Sequence, residues 1–145
     1  EGNTLKEKLN IAVHCIDFMK KLKKTPKIAT LSYARPGDYG RSEEINQSLD
    51  DAKKLTQLIE KHTNQKIENS CVLIDQAIKN KCNILIAPNG IVGNTIFRTL
   101  VLLNSWPSFG AITFGIDDIY IDTSRDQSRE GYLRSLELAY KLAKL

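Results

Sequence analysis

The chain encodes an α/β fold, a sheet layered between helices, on three observations. Segments with apolar residues at helical spacing alternate with short apolar runs along the whole length. The run Ile84-Leu85-Ile86 is uninterrupted, as in strands buried on both faces. With 145 residues, 41% hydrophobic and 26% charged, the chain suits one domain that buries a core without a disulfide or metal staple.

The elements follow in order. Leu5, Leu9, Val13, Ile16, Met19 and Leu22 form one stripe, which predicts a first helix from about Thr4 to Lys24. Thr4 with Glu7 three residues on is a capping box, and Thr25-Pro26 stops the helix. Lys27 to Ser32 reads as a strand, and Tyr33 to Arg41 as a loop with Pro36-Gly37-Asp38 turn chemistry. A second helix starts at Ser42, with Glu43 and Glu44 where the helix dipole favours acids, and buries Ile45, Leu49, Ala52, Leu55 and Leu58. A short third helix covers Ser70 to Lys79, and a strand Asn83 to Ala87. Pro88 to Gly93 reads as a loop before a fourth helix, Asn94 to Asn104. Strands at Gly110–Phe114 and Ile119–Asp122 precede a fifth helix, Arg125 to Lys144, with Leu133, Leu136, Ala139, Tyr140 and Ala143 on its face.

Charge and cysteine usage narrow the function classes. Seven lysines against three acids up to Lys27 carry the whole net charge of +4, and the remainder is neutral. That cluster is short and lacks interleaved aromatics, so nucleic acid is not an expected partner. No apolar run approaches the ~18 residues of a membrane span, and no leader pattern opens the chain. Cys15, Cys71 and Cys82 form no CxxC pair and have apolar neighbours, so they read as core residues in a reducing cytoplasm. His14 and His62 stand far apart, and no metal site is expected.

Ligands of layered α/β folds bind where loops leave the strand ends. Three strand-to-helix junctions qualify. After Ser32, Arg35 and Arg41 flank a glycine turn. After Ala87, Gly90, Gly93 and Asn94 combine close backbone approach with an amide. After Asp122 comes Thr123-Ser124-Arg125-Asp126-Gln127-Ser128. Ser124 with Gln127 is a capping box pattern, which reads either as a plain helix cap or, with Arg125, as an anion site of hydroxyl, guanidinium and helix dipole.

From Ala87 onward the chain resembles the C-terminal part of the phosphate acetyl/butyryltransferase superfamily. The resemblance rests on Pro88-Asn89-Gly90-Ile91-Val92-Gly93-Asn94, then Gly110 and Gly115, and on Thr123-Ser124-Arg125 with Ser128, Ser135 and Ala139. Upstream, Pro26 to Ser32 and Leu73-Ile74-Asp75-Gln76-Ala77 are similar to further segments of that superfamily. The loop Arg35-Pro36-Gly37-Asp38-Tyr39-Gly40-Arg41 looks more like one branch, the methanogenesis marker protein four family, also called methyltransferase-associated subunit X.

The resemblance implies a three-layer α/β/α sandwich, the C-terminal part of the isocitrate/isopropylmalate dehydrogenase-like (phosphotransacetylase-like) fold. Residues 1–145 would be one such domain, a fragment lacking an N-terminal lobe, since family members are longer and the chain opens on Glu1. It implies a homodimer and a transferase that binds a small phosphate or acyl donor, with no bound cofactor and CoA or acyl-CoA as co-substrate. Arg125 would hold phosphate and Ser124 would donate to a developing oxyanion. Gly93 and Asn94 would position the acyl phosphate or pantetheine end, with Asn89, Arg35, Thr123 and Ser128 as further binding residues. The acetyl branch has its proposed base near the place of Gly131, and the butyryl branch has Asp and Lys at the places of Gln127 and Tyr132. The anion-binding half of such a site is thus present without the matching proton-handling residues. Two readings stay open: a transferase of another group, and a non-catalytic ligand-binding subunit of a methyltransferase complex.

Overall fold

The computed structural model describes residues 2–125 and 127–145. The chain divides into two compact units, Glu1–Asn94 and Thr95–Leu145.

The first unit is built on three parallel strands. Helix α1 (Leu5–Lys21) opens with the expected capping box: the Glu7 N–H donates to Thr4 Oγ1 at 3.2 Å, and the Thr4 N–H to Glu7 Oε2 at 3.1 Å. The Thr4 N–H, and with it the Asn3 N–H at 2.8 Å, holds the Glu7 carboxyl below its ordinary pKa. Strand β1 (Ile28–Leu31) is buried throughout and lies at the sheet centre. Helix α2 (Glu43–Thr63) is capped by Ser42, whose hydroxyl accepts from the Ile45 N–H at 3.2 Å. Strand β2 (Glu68–Cys71), helix α3 (Ile74–Lys79) and strand β3 (Ile84–Ile86) follow.

The strand order is β2-β1-β3, with Ala29 opposite Glu68 and Ile28 opposite Ile84. The chain leaves β1 towards one edge through α2 and returns past it through α3. Under the right-handed crossover rule this reversal puts α2 and α3 on opposite faces of the sheet. Helix α1 packs on α2 and β3. The core between them contains Ala12, Ile16, Ile28, Leu55, Ile59, Ile67, Ile84 and Ile86. Ile16, Ile28 and Ile59 are 2% exposed or less, and each contributes about 1.5–3 kcal/mol of burial. One polar pair interrupts that layer: Thr30 and Thr56 hydroxyls bond each other at 2.7 Å.

Helix α4 (Gly90–Arg98) carries the chain into the second unit and widens into a π turn at Thr99–Leu103. Strands β4 (Ala111–Ile112) and β5 (Ile121–Asp122) pair antiparallel. Gly110 precedes β4 at φ +86°, where a Cβ would lie 2.6 Å from Ile121 Cγ2 and 2.7 Å from the Asp122 oxygen, so the position requires glycine. Helix α5 (Arg129–Leu142) closes the unit.

Several expectations are corrected. There are two sheets, because β4 and β5 pair only with each other among the described residues. Strand β2 occupies residues read as loop and helix start; its polar Glu-Asn-Ser-Cys sequence carries no strand signal, and pairing with β1 imposes the conformation. Helix α4 begins four residues before Asn94 and α5 four residues after Arg125. On α5 most of the predicted apolar stripe is exposed, Leu136 by 67% and Tyr140 by 61%, while Ala139 is half-buried and Gly131 and Ser135 are the buried positions.

Candidate functional site

The parallel order 2-1-3 brings the loops after β1 and β3 side by side at the carboxyl edge of the sheet. This is the place where the winding direction reverses and where ligands of open α/β sheets bind. Tyr33 comes from the first loop and Asn89 from the second. The Asn89 Nδ2 donates to the Tyr33 phenol oxygen at 2.6 Å. The Asn89 Oδ1 accepts from the Val92 N–H at 2.9 Å, so Asn89 is the N-cap of α4. One amide thereby fixes both the helix start and the neighbouring loop.

Beneath this bridge lies a cavity of about 310 Å³, closed on the far side by α1 and α2. Its polar lining includes Lys8, Tyr33, Glu44, Ser48, Asp51 and Asn89. Ser48 accepts from the Tyr33 N–H at 3.0 Å, and Asp51 accepts from the Gln47 amide at 2.8 Å. Of these residues the sequence reading singled out only Asn89. Lys8 carried a findable signal: it stands one and two helical turns before buried Ala12 and Ile16 on the same face.

Gly93 and Asn94 lie in the second turn of α4, not at its start. Gly93 passes the end of β3 closely, with a would-be Cβ 3.4 Å from the Ala87 Cβ, and Asn94 is exposed. Arg35 is exposed in the loop after β1, where its N–H donates to Asp38 Oδ2 at 3.0 Å. Asp38 also pairs with Arg41 at 2.9 Å, so the two arginines share one carboxylate through backbone and side chain.

In the second unit, Thr123, Ser124 and Arg125 follow β5 directly. The capping expectation is corrected here: Ser128, not Ser124, caps α5, accepting from the Gly131 N–H at 3.2 Å. The Ser124 carbonyl instead accepts from the Gln127 N–H at 3.0 Å and from the Tyr132 hydroxyl at 3.3 Å. Arg125 is exposed, and Asp126 lies outside the described residues. Thr123 and Ser124 are half-buried.

A neighbouring side chain fills the space beside Gly131. A Cβ on Gly131 would lie 2.5 Å from Gln127 Cγ. The Gln127 amide donates to Ser135 Oγ at 3.3 Å, and that hydroxyl donates to the Gly131 carbonyl at 3.1 Å. An uncharged amide therefore occupies the space beside Gly131. Among the described residues no group of three His, Cys, Asp or Glu side chains could hold a metal, and no helix is long and apolar enough to cross a membrane.

No protein-family model matches the chain. It is 32% identical over 138 residues to an uncharacterized methyltransferase of Methanocaldococcus jannaschii, covering 94% of this chain and 56% of that one. It is 36% identical over 126 residues to the mtx subunit X of Methanosarcina mazei, covering 86% and 44%, and 35% identical to that of Methanosarcina barkeri, covering 86% and 45%. The chain therefore spans about half the length of these relatives. A phosphotransacetylase of Streptococcus pyogenes superposes with a TM-score of 0.67 at 22% identity, over 98% of this chain and 46% of the other. The EutD phosphotransacetylase of Staphylococcus aureus gives 0.65 at 20% identity, over 94% and 46%. At that identity the likeness shows a shared fold.

Proposed function

We propose, for a chain that is a homologue of the methanogen mtx subunit X proteins and carries the phosphotransacetylase fold, a phosphate acyltransferase-like domain that binds a small phosphate- or acyl-bearing ligand. The observation that carries this reading is the Tyr33–Asn89 bond of 2.6 Å over a cavity at the reversal point of the sheet. Phosphate, acyl phosphate and the acyl end of CoA are the ligand types. The relatives' names and methanogen sources support a role in C1 metabolism.

In the second unit, Ser124 and Arg125 are the proposed anion contacts, with Thr123 and Ser128 beside them in sequence. An exposed guanidinium offers a forked donor to phosphate at no desolvation cost before binding. The Gly131–Gln127 arrangement favours the second reading, a subunit that binds without turnover, because acyl transfer between phosphate and a thiol needs a group that takes the thiol proton in one direction and returns it to the departing thiolate in the other.

Thermal-shift titration with phosphate, acetyl phosphate, CoA and acetyl-CoA tests the proposal. A ligand at ~100 times its Kd adds roughly 2.7 kcal/mol, or several °C for a domain of this size. Asn89→Ala and Arg125→Ala are expected to reduce the shift. No shift with any of the four sinks the binding reading. A shift without acetyl phosphate formation from acetyl-CoA and phosphate selects the accessory subunit over the transferase.

A further inference from the structure

Lys8 is the fourth residue of α1 and only 8% exposed. Two physical terms disfavour it there. Burial penalises an ammonium without a counter-charge, and the first turn of a helix is the positive end of its dipole. The Lys8 ammonium makes no hydrogen bond or ion pair with another described residue. It is not sealed either, since no fully buried side-chain nitrogen or oxygen lacks a partner among the described residues. Lys8 faces the 310 Å³ cavity under Tyr33 and Asn89.

The residues that α2 adds to that cavity have the reverse character. Glu44 and Asp51 are acceptor-only when ionised. Tyr33 and Ser48 each use an oxygen lone pair internally, accepting from Asn89 Nδ2 and from the Tyr33 N–H, which leaves both hydroxyl protons to donate. A bare anion would pair with the ammonium but give the two carboxylates no donor, and an uncharged polyol leaves the ammonium unpaired. The volume is at the low end of the roughly 300–1,000 Å³ of ligand pockets, too small for a whole CoA.

We infer that this cavity binds a small organic acid bearing hydroxyl or ammonium groups, its acid group on Lys8 and its donors on Glu44 and Asp51. The inference rests on the reading of the β1–β3 crevice as a ligand site, and names the class of substrate that enters it. A carboxylate and a phosphate monoester share the required chemistry, and the test separates them.

Calorimetric titration of the protein with glycerate and with glycerol 3-phosphate is the experiment, with acetate and glycerol as single-ended controls. One of the first two is expected to bind at least tenfold more tightly than either control. Lys8→Met is expected to weaken that binding about 10- to 100-fold, the loss of one charge-assisted contact. In the ligand-free protein the same substitution is expected to raise the melting temperature, because it removes an unpaired ammonium from the positive end of the α1 dipole. Lys8→Gln, which keeps a polar tip, is expected to weaken binding without that rise. Binding unchanged by Lys8→Met overturns the site, and so does a lowered ligand-free melting temperature, which would mean that the ammonium has an internal partner. Silence of both acids while acetyl phosphate or CoA still shifts the melting curve overturns this inference alone. Silence of every ligand overturns the crevice reading with it.

Discussion

Asn89 joins two strand ends through Tyr33: its amide nitrogen donates to the phenol oxygen at 2.6 Å while its amide oxygen caps α4 through the Val92 N–H at 2.9 Å. The residue is therefore structural and a candidate for ligand contact at once, and the two roles have separable consequences. Losing the cap costs about 1 kcal/mol, and losing the bridge adds about 0.5–1.5 kcal/mol. Asn89→Ala is expected to lose both, and Tyr33→Phe the bridge alone. Urea denaturation measures the two costs. Equal losses from both variants would contradict the cap assignment. Ligand affinity is expected to fall in both, since both loosen the loops that frame the cavity.

The start of α5 supplies a second test. Ser128 accepts from the Gly131 N–H at 3.2 Å, whereas Ser124 takes part in the preceding turn through its carbonyl. Ser128→Ala is expected to destabilise the chain by about 1 kcal/mol, and Ser124→Ala by less. Arg125→Ala is expected to leave stability within about 0.5 kcal/mol, as for an exposed surface substitution, and to weaken phosphate binding. Chemical denaturation beside phosphate titration reads the two effects separately. An Arg125→Ala chain that binds phosphate as the wild type does removes the residue from the site.

These two helix starts also mark where sequence alone succeeds and fails. Thr4 was legible as a cap and Ser42 as a helix start because each precedes a strong apolar period, and in both the hydroxyl meets the third N–H. Ser124 was a decoy. It has Gln127 at the capping-box spacing, but the chain turns once more before Ser128 begins the helix. At α4, Pro88-Asn89-Gly90 has loop composition, and only the tertiary partner Tyr33 reveals that Asn89 is a cap. The central strands β1 and β3 announced themselves by apolar runs. Edge strand β2 did not, since parallel pairing with Ala29 and Thr30 rather than local preference makes Glu68 and Asn69 extended. Ser48 and Asp51 were out of reach for a related reason: a cavity assembles from helix faces whose register only packing determines.

Gly131 and Gln127 predict a double-mutant cycle. Alanine in place of glycine inside a helix gains roughly 0.5–1 kcal/mol, but here the new Cβ displaces the Gln127 side chain and its bond to Ser135. The displaced hydrogen bond is worth about 0.5–1.5 kcal/mol, so Gly131→Ala alone is expected to be near neutral. In a Gln127→Ala background the same change is expected to stabilise by about 0.5–1 kcal/mol. The coupling of about 1 kcal/mol is readable by urea denaturation of the four proteins. Additive effects would mean that Gln127 does not occupy the space beside Gly131 in solution.

Glu68 predicts the acid limb of stability. Its carboxylate accepts first from the Ser70 hydroxyl at 2.5 Å, then from the Asn80 amide at 3.1 Å and the Cys82 thiol at 3.6 Å, with Lys27 adding positive charge. These groups hold its folded pKa below the ordinary 4.5. A carboxyl lowered on folding stabilises the native state above its unfolded pKa, and that stability disappears as pH falls through the folded value. Glu68→Gln keeps an acceptor but not the charge. It is expected to cost about 0.5–1.5 kcal/mol at neutral pH, and to lie nearer the wild type once the pH has fallen through the folded pKa and the wild-type carboxyl is itself protonated. Burial first, and then the Glu68 charge, push the Cys82 thiol above its ordinary pKa of 9.0. The same substitution is therefore expected to speed Cys82 alkylation near pH 8, as more thiolate forms. Denaturation at stepped pH and alkylation rates in a Cys15→Ser background read the two consequences. A constant stability gap across the pH range, with unchanged Cys82 reactivity, would remove Glu68 as the charged centre of this cluster.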